Sequence, residues 1–253
     1  MPPAMPLASN HGEVEVEGAT LYYAMYGAGD PVILLHGGLG NSDHWSNQVP
    51  ALLAAHQVIV IDSRGQGRST RSKAPATYDV MASDVLAVMD HLGLARASMV
   101  GGSDGGEIAL KLAIHHPDRV NKVFIIGTNY DAHGFKPHGG NTTTFAAYAS
   151  KCRSDYTRLS KTPKRFDELA AWLRPMWRNP MGFTKEQLRS IKAPTMVADG
   201  DHDEIIARDQ IEEMATLIPN GTLRIFADTS HFALWQDPVS INKVLVEFLA
   251  PTP

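Results

Sequence analysis

The sequence predicts an α/β fold: a mostly parallel sheet of about eight strands with helices on both faces and a small helical cap. Three observations carry this. Short apolar runs without polar alternation recur along the chain, as suits parallel strands covered on both faces. Segments of helical periodicity lie between them. One stretch of roughly 60 residues breaks the alternation without a strand signal, too long for a simple connection.

The elements follow in chain order. Met1 to His11 is rich in Pro and Ala and has no Lys or Arg. It lacks the basic start and apolar stretch of a secretory signal. It therefore reads as a loose tail, residues 1–12, on a cytoplasmic protein. Glu13 to Glu17 alternates Glu and Val, Gly18-Ala19 turns, and Thr20 to Tyr26 returns as an antiparallel hairpin. Apolar runs follow at Val32–Leu35, Gln57–Ile61, Ala97–Val100, Lys122–Ile126 and Thr195–Ala198, with Thr222–Phe226 as the last strand. Met81, Val85, Val88, Met89 and Leu92 have helical spacing. Ile108, Leu110, Leu112 and Ile114 make a helix apolar on nearly every side, hence buried. Asp237-Pro238 supplies an N-cap and a first-turn proline to a closing helix with Ile241, Val244, Leu245 and Phe248 on one stripe. Residues 1–130 and 192–253 are thus read as the core. Residues 131–191 are read as the cap, with helices over Thr142–Leu159 and Lys164–Trp177 interrupted by Pro163, Pro175 and Pro180. The cap is expected above the carboxyl ends of the strands, where open α/β sheets bind ligands.

Composition narrows the function. The chain has 253 residues, 43% hydrophobic and 20% charged, enough apolar content for a sizeable core. A formal net charge of −4 argues against a nucleic-acid partner. No apolar run approaches the roughly 18 residues of a membrane span. Cys152 is the single cysteine, so an intrachain disulfide and a cysteine-based zinc site are excluded, and no metal or cofactor is expected.

Chemistry concentrates at strand ends. Gly101-Gly102-Ser103-Asp104-Gly105 contains Gly-x-Ser-x-Gly between an apolar run and a helix. A serine on so tight a turn has strained backbone angles, and Gly101 and Gly105 remove the clash of flanking side chains. The following helix N-terminus favours developing negative charge. Serine needs a base, and His231 follows the last strand. His36 precedes glycines and fits a turn instead, and His44, His56 and His91 are placed on or beside helices. The base needs an acid. Asp203 lies beyond the turn at Gly200, with Asp201 as the alternative. Backbone N–H groups of Gly38, with Leu39 the alternative, and of Asp104 are the expected oxyanion donors. The run at His36–Gly40 lacks the Gly-Lys-Ser/Thr ending of a phosphate loop. Leu39, Phe232, Trp235 and Trp177 are candidate pocket residues, with Trp172 and Met176 as further cap candidates.

From about Glu13 to Leu249 the chain resembles the α/β-hydrolase superfamily. The resemblance rests on Leu34-Leu35-His36-Gly37-Gly38, on Asp62-Ser63-Arg64-Gly65-Gln66-Gly67-Arg68-Ser69, on the elbow at Ser103, on Gly200-Asp201-His202-Asp203 and on Ser230-His231-Phe232. It implies the α/β-hydrolase fold, with Ser103 as nucleophile, Asp203 as acid, His231 as base and Gly38 and Asp104 as oxyanion donors. It also implies structural roles for Asp62 and Arg64. Within the superfamily the chain is similar to small capped esterases, enol-lactonases and carbon–carbon bond hydrolases. The elbow Gly-Gly-Ser-Asp-Gly-Gly also resembles that of valacyclovir hydrolase, which implies an ammonium-binding role for Asp104. The alternative is a first-turn carboxylate complementing the helix dipole. The expected activity is cleavage of a small-molecule carboxylic ester through an acyl-enzyme. Lactonase or carbon–carbon hydrolase chemistry, a perhydrolase side activity and a slow or inert ligand receptor are the alternatives.

Overall fold

The computed structural model describes residues 3–178 and 182–250. Pro180, expected to interrupt a helix, lies outside the described residues. The strands are β1 (Asn10–Val16), β2 (Ala19–Gly27), β3 (Asp30–Leu35), β4 (His56–Ile61), β5 (Ala97–Gly102), β6 (Val120–Ile126), β7 (Thr195–Gly200) and β8 (Gly221–Phe226). They form an 8-stranded sheet ordered β1-β2-β4-β3-β5-β6-β7-β8. β2 pairs antiparallel with β1 and β4, and β3 to β8 pair parallel. The helices are α1 (Val49–Leu52), α2 (Tyr78–His91), α3 (Asp104–His115), α4 (Thr143–Leu159), α5 (Phe166–Arg178), α6 (Lys185–Arg189), α7 (Arg208–Leu217), α8 (Ala233–Gln236) and α9 (Pro238–Leu249).

The apolar runs sort by parity. Ile33, Leu35, Ile59, Ile61, Met99, Val123, Ile125 and Val197 pack in one cluster with buried residues of α2, α3 and α7. Their neighbours Val32, Leu34, Val58, Val60, Val100, Phe124, Ile126 and Ala198 pack in a second cluster with α1 and α9. Side chains alternate faces along a strand, so continuous apolar runs are what a doubly covered sheet requires. Asp237 caps α9 by accepting from Ser240 N–H at 3.1 Å, with Pro238 at the first helical position.

Some boundaries differ from the sequence expectation. β1 begins at Asn10, inside the expected tail, because its pairing with β2 extends to Met25. The insertion between β6 and β7 contains α4, α5 and α6 and no named strand among its described residues. Pro163 precedes α5, but Pro175 lies within it and does not end it. Its missing N–H falls near the helix end, where one lost bond leaves the apolar face of Leu169, Leu173 and Met176 seated in the core. Those three side chains belong to the cluster that also holds α2 and α3, so the insertion shares the core of the sheet.

Candidate active site

The strand order puts the site where it stands. From β3 the chain steps to β4 on one side and then returns to place β5 on the other. The loops leaving the carboxyl ends of β3 and β5 therefore diverge and open a crevice between them. Leu35 is paired with Gly101, so the loop from His36 and the turn at Ser103 leave the sheet side by side.

Ser103 has φ 51° and ψ −120°, a strained conformation for a residue with a side chain. Its backbone is held by Ser103 N–H to Ile126 O at 2.9 Å and by Gly106 N–H to Ser103 O at 2.8 Å. A Cβ on Gly101 would stand 2.3 Å from Gly105 O, as the sequence argument requires. The need at Gly105 is different. A Cβ there would stand 2.0 Å from Leu35 O, so this glycine admits β3 against the start of α3.

His231 and Asp203 meet across the ends of β7 and β8, with His231 Nδ1 2.7 Å from Asp203 Oδ2. The other Asp203 oxygen accepts from Ile205 N–H at 2.6 Å and Ile206 N–H at 2.8 Å. These bonds fix the carboxylate and place the donor hydrogen on Nδ1, leaving Nε2 for the cavity. Burial pushes the Asp203 carboxyl up, but the charge and hydrogen bond of His231 outweigh it and hold it at about 2. Burial pushes His231 down, and the Asp203 carboxylate more than offsets this, so its pKa is raised. Asp201 points elsewhere, to His202 Nδ1 at 2.5 Å and Thr229 N–H at 3.2 Å. Asp199, the penultimate residue of β7, is buried next to Asp203, and burial, then that neighbour, drive its carboxyl up to about 9. Ser103 Oγ has no hydrogen-bond partner among the described residues and shares a cavity with His231. Nucleophile–base bonds are commonly loose before a substrate seats.

The Gly38 N–H is aimed by its neighbours. His36 Nε2 accepts from Ser63 N–H at 3.0 Å, so Nδ1 carries the hydrogen and donates to Gly37 O at 2.8 Å. Gly40 N–H donates to the same carbonyl at 3.1 Å. With Gly37 O held, the trans peptide turns the Gly38 N–H the opposite way. The Gly38 and Asp104 N–H groups meet no protein acceptor among the described residues. Burial keeps His36 neutral by lowering its pKa to about 4.

Asp104 is satisfied within the protein. Its carboxylate accepts from Trp177 Nε1 at 2.8 Å and Tyr78 Oη at 3.0 Å. Burial raises its pKa and those two donors oppose the rise. A Cβ at Gly38 would fall 2.6 Å from Asp104 Oδ2 and 2.7 Å from Trp177 Cζ2, so glycine is needed there.

A cavity of about 260 Å³ opens over Ser103. Leu39, Trp177, Phe232 and Trp235 all line it. Trp172 does not. It stands well around α5 from Trp177 and donates to Ala74 O at 2.7 Å, while Met176 is packed into the core. Asp62 and Arg64 are structural. Asp62 accepts from Ser42 and Arg68 N–H at 2.6 and 2.7 Å, and Arg64 binds Asp84. One histidine placement needs correction: His56 opens β4. His44 lies on a short 3₁₀ helix, Ser42–Trp45, and lines the cavity wall with Nε2 3.1 Å from Asp155 of α4. That hydrogen-bond partner sits 111 residues away, so nothing local announced it.

Sequence reasoning missed three contributors. Gly127 has φ +60°, and a Cβ there would stand 3.0 Å from the His231 ring. A glycine directly after the apolar run ending at Ile126 was the available signal. Glu204 accepts from His231 N–H at 3.1 Å. Tyr148 of α4 donates to Gly38 O at 2.7 Å and stacks on Phe232 with ring centroids 4.7 Å apart. Its position in a helix of mixed composition carried no signal.

The chain has relatives among known proteins. Residues 30–180 match the family model of the alpha/beta hydrolase fold, and the chain belongs to that family. It is 28% identical to a 2-hydroxy-6-oxononadienedioate/2-hydroxy-6-oxononatrienedioate hydrolase of Paraburkholderia phymatum, over 92% of this chain and 93% of that protein. It is 30% identical to the RutD protein of Caulobacter segnis, named provisionally as a carbamate hydrolase, over 88% of this chain and 92% of that one. Among solved structures, the enol-lactonase of Burkholderia xenovorans LB400 aligns with TM-score 0.75 and 25% identity, covering 95% of this chain and 100% of that one. The names of these relatives specify a dienedioate or trienedioate, a carbamate (provisionally) and an enol-lactone as what is cleaved.

Proposed function

We propose that the protein is a serine hydrolase that cleaves small, uncharged carboxylic esters, lactones included, through an acyl-enzyme. The observation that carries this reading is the convergence on one cavity of Ser103, the His231–Asp203 pair and two N–H groups without a protein acceptor among the described residues. His231 Nε2 takes the Ser103 proton as Oγ attacks the carbonyl carbon. The oxyanion accepts from the Gly38 and Asp104 N–H groups. The C–O bond to the alcohol breaks, and His231 returns the proton to the leaving oxygen. Water then attacks the acyl carbon by the same route, and Ser103 is released with the free acid. The helical insertion serves as the cap that closes the acyl pocket.

The lining argues for a neutral substrate. No Lys or Arg lines the cavity among the described residues, and its fixed carboxylate is Asp104. A dienedioate, such as the Paraburkholderia relative's name specifies, carries two carboxylates and needs cationic partners when desolvated. This cavity offers aromatic rings instead: Phe145, Tyr148, Phe232 and Trp235.

The test is release of nitrophenol from p-nitrophenyl esters of increasing acyl length, together with the monosuccinate ester, on wild type and Ser103→Ala. Neutral esters are expected to turn over, and Ser103→Ala is expected to lower kcat by about 10⁴–10⁶-fold. The succinate is expected to be slower by about a hundredfold, the cost of an unpaired buried charge. A succinate preference would move the reading toward the dienedioate hydrolases. Survival of turnover in Ser103→Ala would remove Ser103 as nucleophile.

A further inference from the structure

Two peptide planes make the loop that carries Gly38, and different parts of the molecule hold them. The Gly37–Gly38 plane is fixed from within the core, through His36 and Gly40 on the Gly37 carbonyl. The Gly38–Leu39 plane has its carbonyl bound by Tyr148 Oη at 2.7 Å, from α4 in the insertion. The Gly40 N–H to Gly37 O bond closes a tight turn over Gly37–Gly40, with Leu39 at its second corner. Leu39 has φ +65°, the left-handed region that turns of this kind reserve for glycine or asparagine. A leucine there is strained, and a flip of the Gly38–Leu39 peptide would convert the turn to the commoner form and relieve it. The hydrogen bond from Tyr148 opposes that flip.

Resting on the serine-hydrolase reading above, we propose that Tyr148 is a positioning residue for the oxyanion hole: its hydroxyl, delivered from the insertion, holds the strained turn that presents the Gly38 N–H. An oxyanion donor works by standing in place before the charge develops. The two planes share the Gly38 Cα. A flip of the second changes the path from Gly38 to Gly40, whose N–H is one of the two groups that hold the Gly37 carbonyl and so aim the Gly38 N–H. Loss of that aim lowers transition-state stabilisation while leaving ground-state binding in place. The same ring stacks on Phe232, which packs edge-on against His231 at 5.4 Å between centroids. One side chain of the insertion thus contacts both the oxyanion loop and the loop of the base.

The test is a double-mutant cycle of Tyr148→Phe and Leu39→Gly, with thermal melting recorded for each chain. Tyr148→Phe keeps the stacked ring and removes only the donor. The readouts are kcat and KM for a p-nitrophenyl ester, the affinity of a boronic acid that adds to serine, and the affinity of the carboxylic acid product. Tyr148→Phe is expected to lower kcat about tenfold, the worth of one hydrogen bond, with KM little changed. Boronate affinity is expected to fall by the same factor and product affinity to hold. Glycine adopts the left-handed corner without strain, so in the Leu39→Gly background the Tyr148→Phe loss is expected to shrink to below about threefold. Should Tyr148→Phe not fold, Tyr148→Met, which also lacks a donor, carries the same expectations. Unchanged kcat, a rise in KM alone, or a loss undiminished in the Leu39→Gly background would overturn the proposal. A wild-type chain that neither hydrolyses the ester nor is labelled by a fluorophosphonate would overturn the Ser103 reading, and this proposal with it.

Discussion

At the residue scale, two neighbouring carboxyls behave in opposite ways. Asp203 is held at about 2 because it faces His231, whereas Asp199, one turn of chain earlier, is driven up to about 9 by burial and by Asp203 itself. In the proposed mechanism His231 must be neutral to accept the Ser103 proton. A raised His231 pKa therefore moves the acid limb of kcat/KM above the ordinary value of 6.5. Asp203→Asn removes the charge that raises it and leaves the burial that lowers it. The limb is expected to shift to lower pH while kcat falls by about 10⁴-fold, read from pH–rate profiles of both chains. Asp199 bears on stability with a definite sign. Its carboxyl binds a proton more tightly folded than unfolded, so its contribution is full at low pH and fades as pH rises toward about 9. Asp199→Asn, which mimics the neutral acid, is expected to flatten the decline of Tm with pH across that window. The positions of Ser103, His231 and Asp203 at strand ends were legible because each follows an apolar run and sits in a recognisable turn. Tyr148 and His44 act through partners 110 and 111 residues away, and such pairings leave no local pattern.

At the element scale, strand-to-helix turns dictate composition more strictly than the strands do. Gly105 is needed because β3 passes beneath it, with Leu35 O where its Cβ would be. Gly105→Ala is expected to destabilise the protein by about 3 kcal/mol or more, measured by denaturant unfolding, since only backbone movement relieves that contact. Gly127→Ala is milder in space but strained in φ, and its methyl would press on the His231 ring. It is expected to lower kcat about tenfold or more while costing about 1–2 kcal/mol of stability, because it displaces the base more than it disturbs the core. The strands were legible because parallel strands covered on both faces need unbroken apolar runs. The short helices were not: α6 spans 5 residues and α8 only 4, too few for a periodicity to repeat. Pro175 misled as an interruption because proline propensity is local, whereas the packing of α5 is not.

At the scale of the whole molecule, the insertion is fastened to the sheet domain by charge as well as by apolar contact. Asp155 of α4 accepts from His44, Asn41 and Lys151, and Arg158 reaches both Asp155 and Asp43. Burial pushes the Asp155 carboxyl up, but the His44 and Lys151 hydrogen bonds outweigh it and hold it below the usual carboxylate range. Its stabilisation is thus present at neutral pH and lost as pH falls below the ordinary value of 3.8. Asp155→Asn is expected to cost about 2 kcal/mol at pH 7 and less at acid pH, seen by unfolding at both.

The insertion also divides the chain's chemistry. In the proposed mechanism, the groups that handle the carbonyl, the Gly38 and Asp104 amides and Ser103, precede it, while Asp203 and His231 follow it. Residues 161–165, exposed between α4 and α5, lie on the boundary. A chain severed there becomes two polypeptides, one bearing the electrophile's machinery and the other the proton's. Hydrolysis would then report their reassembly, as in a split enzyme whose halves are silent apart.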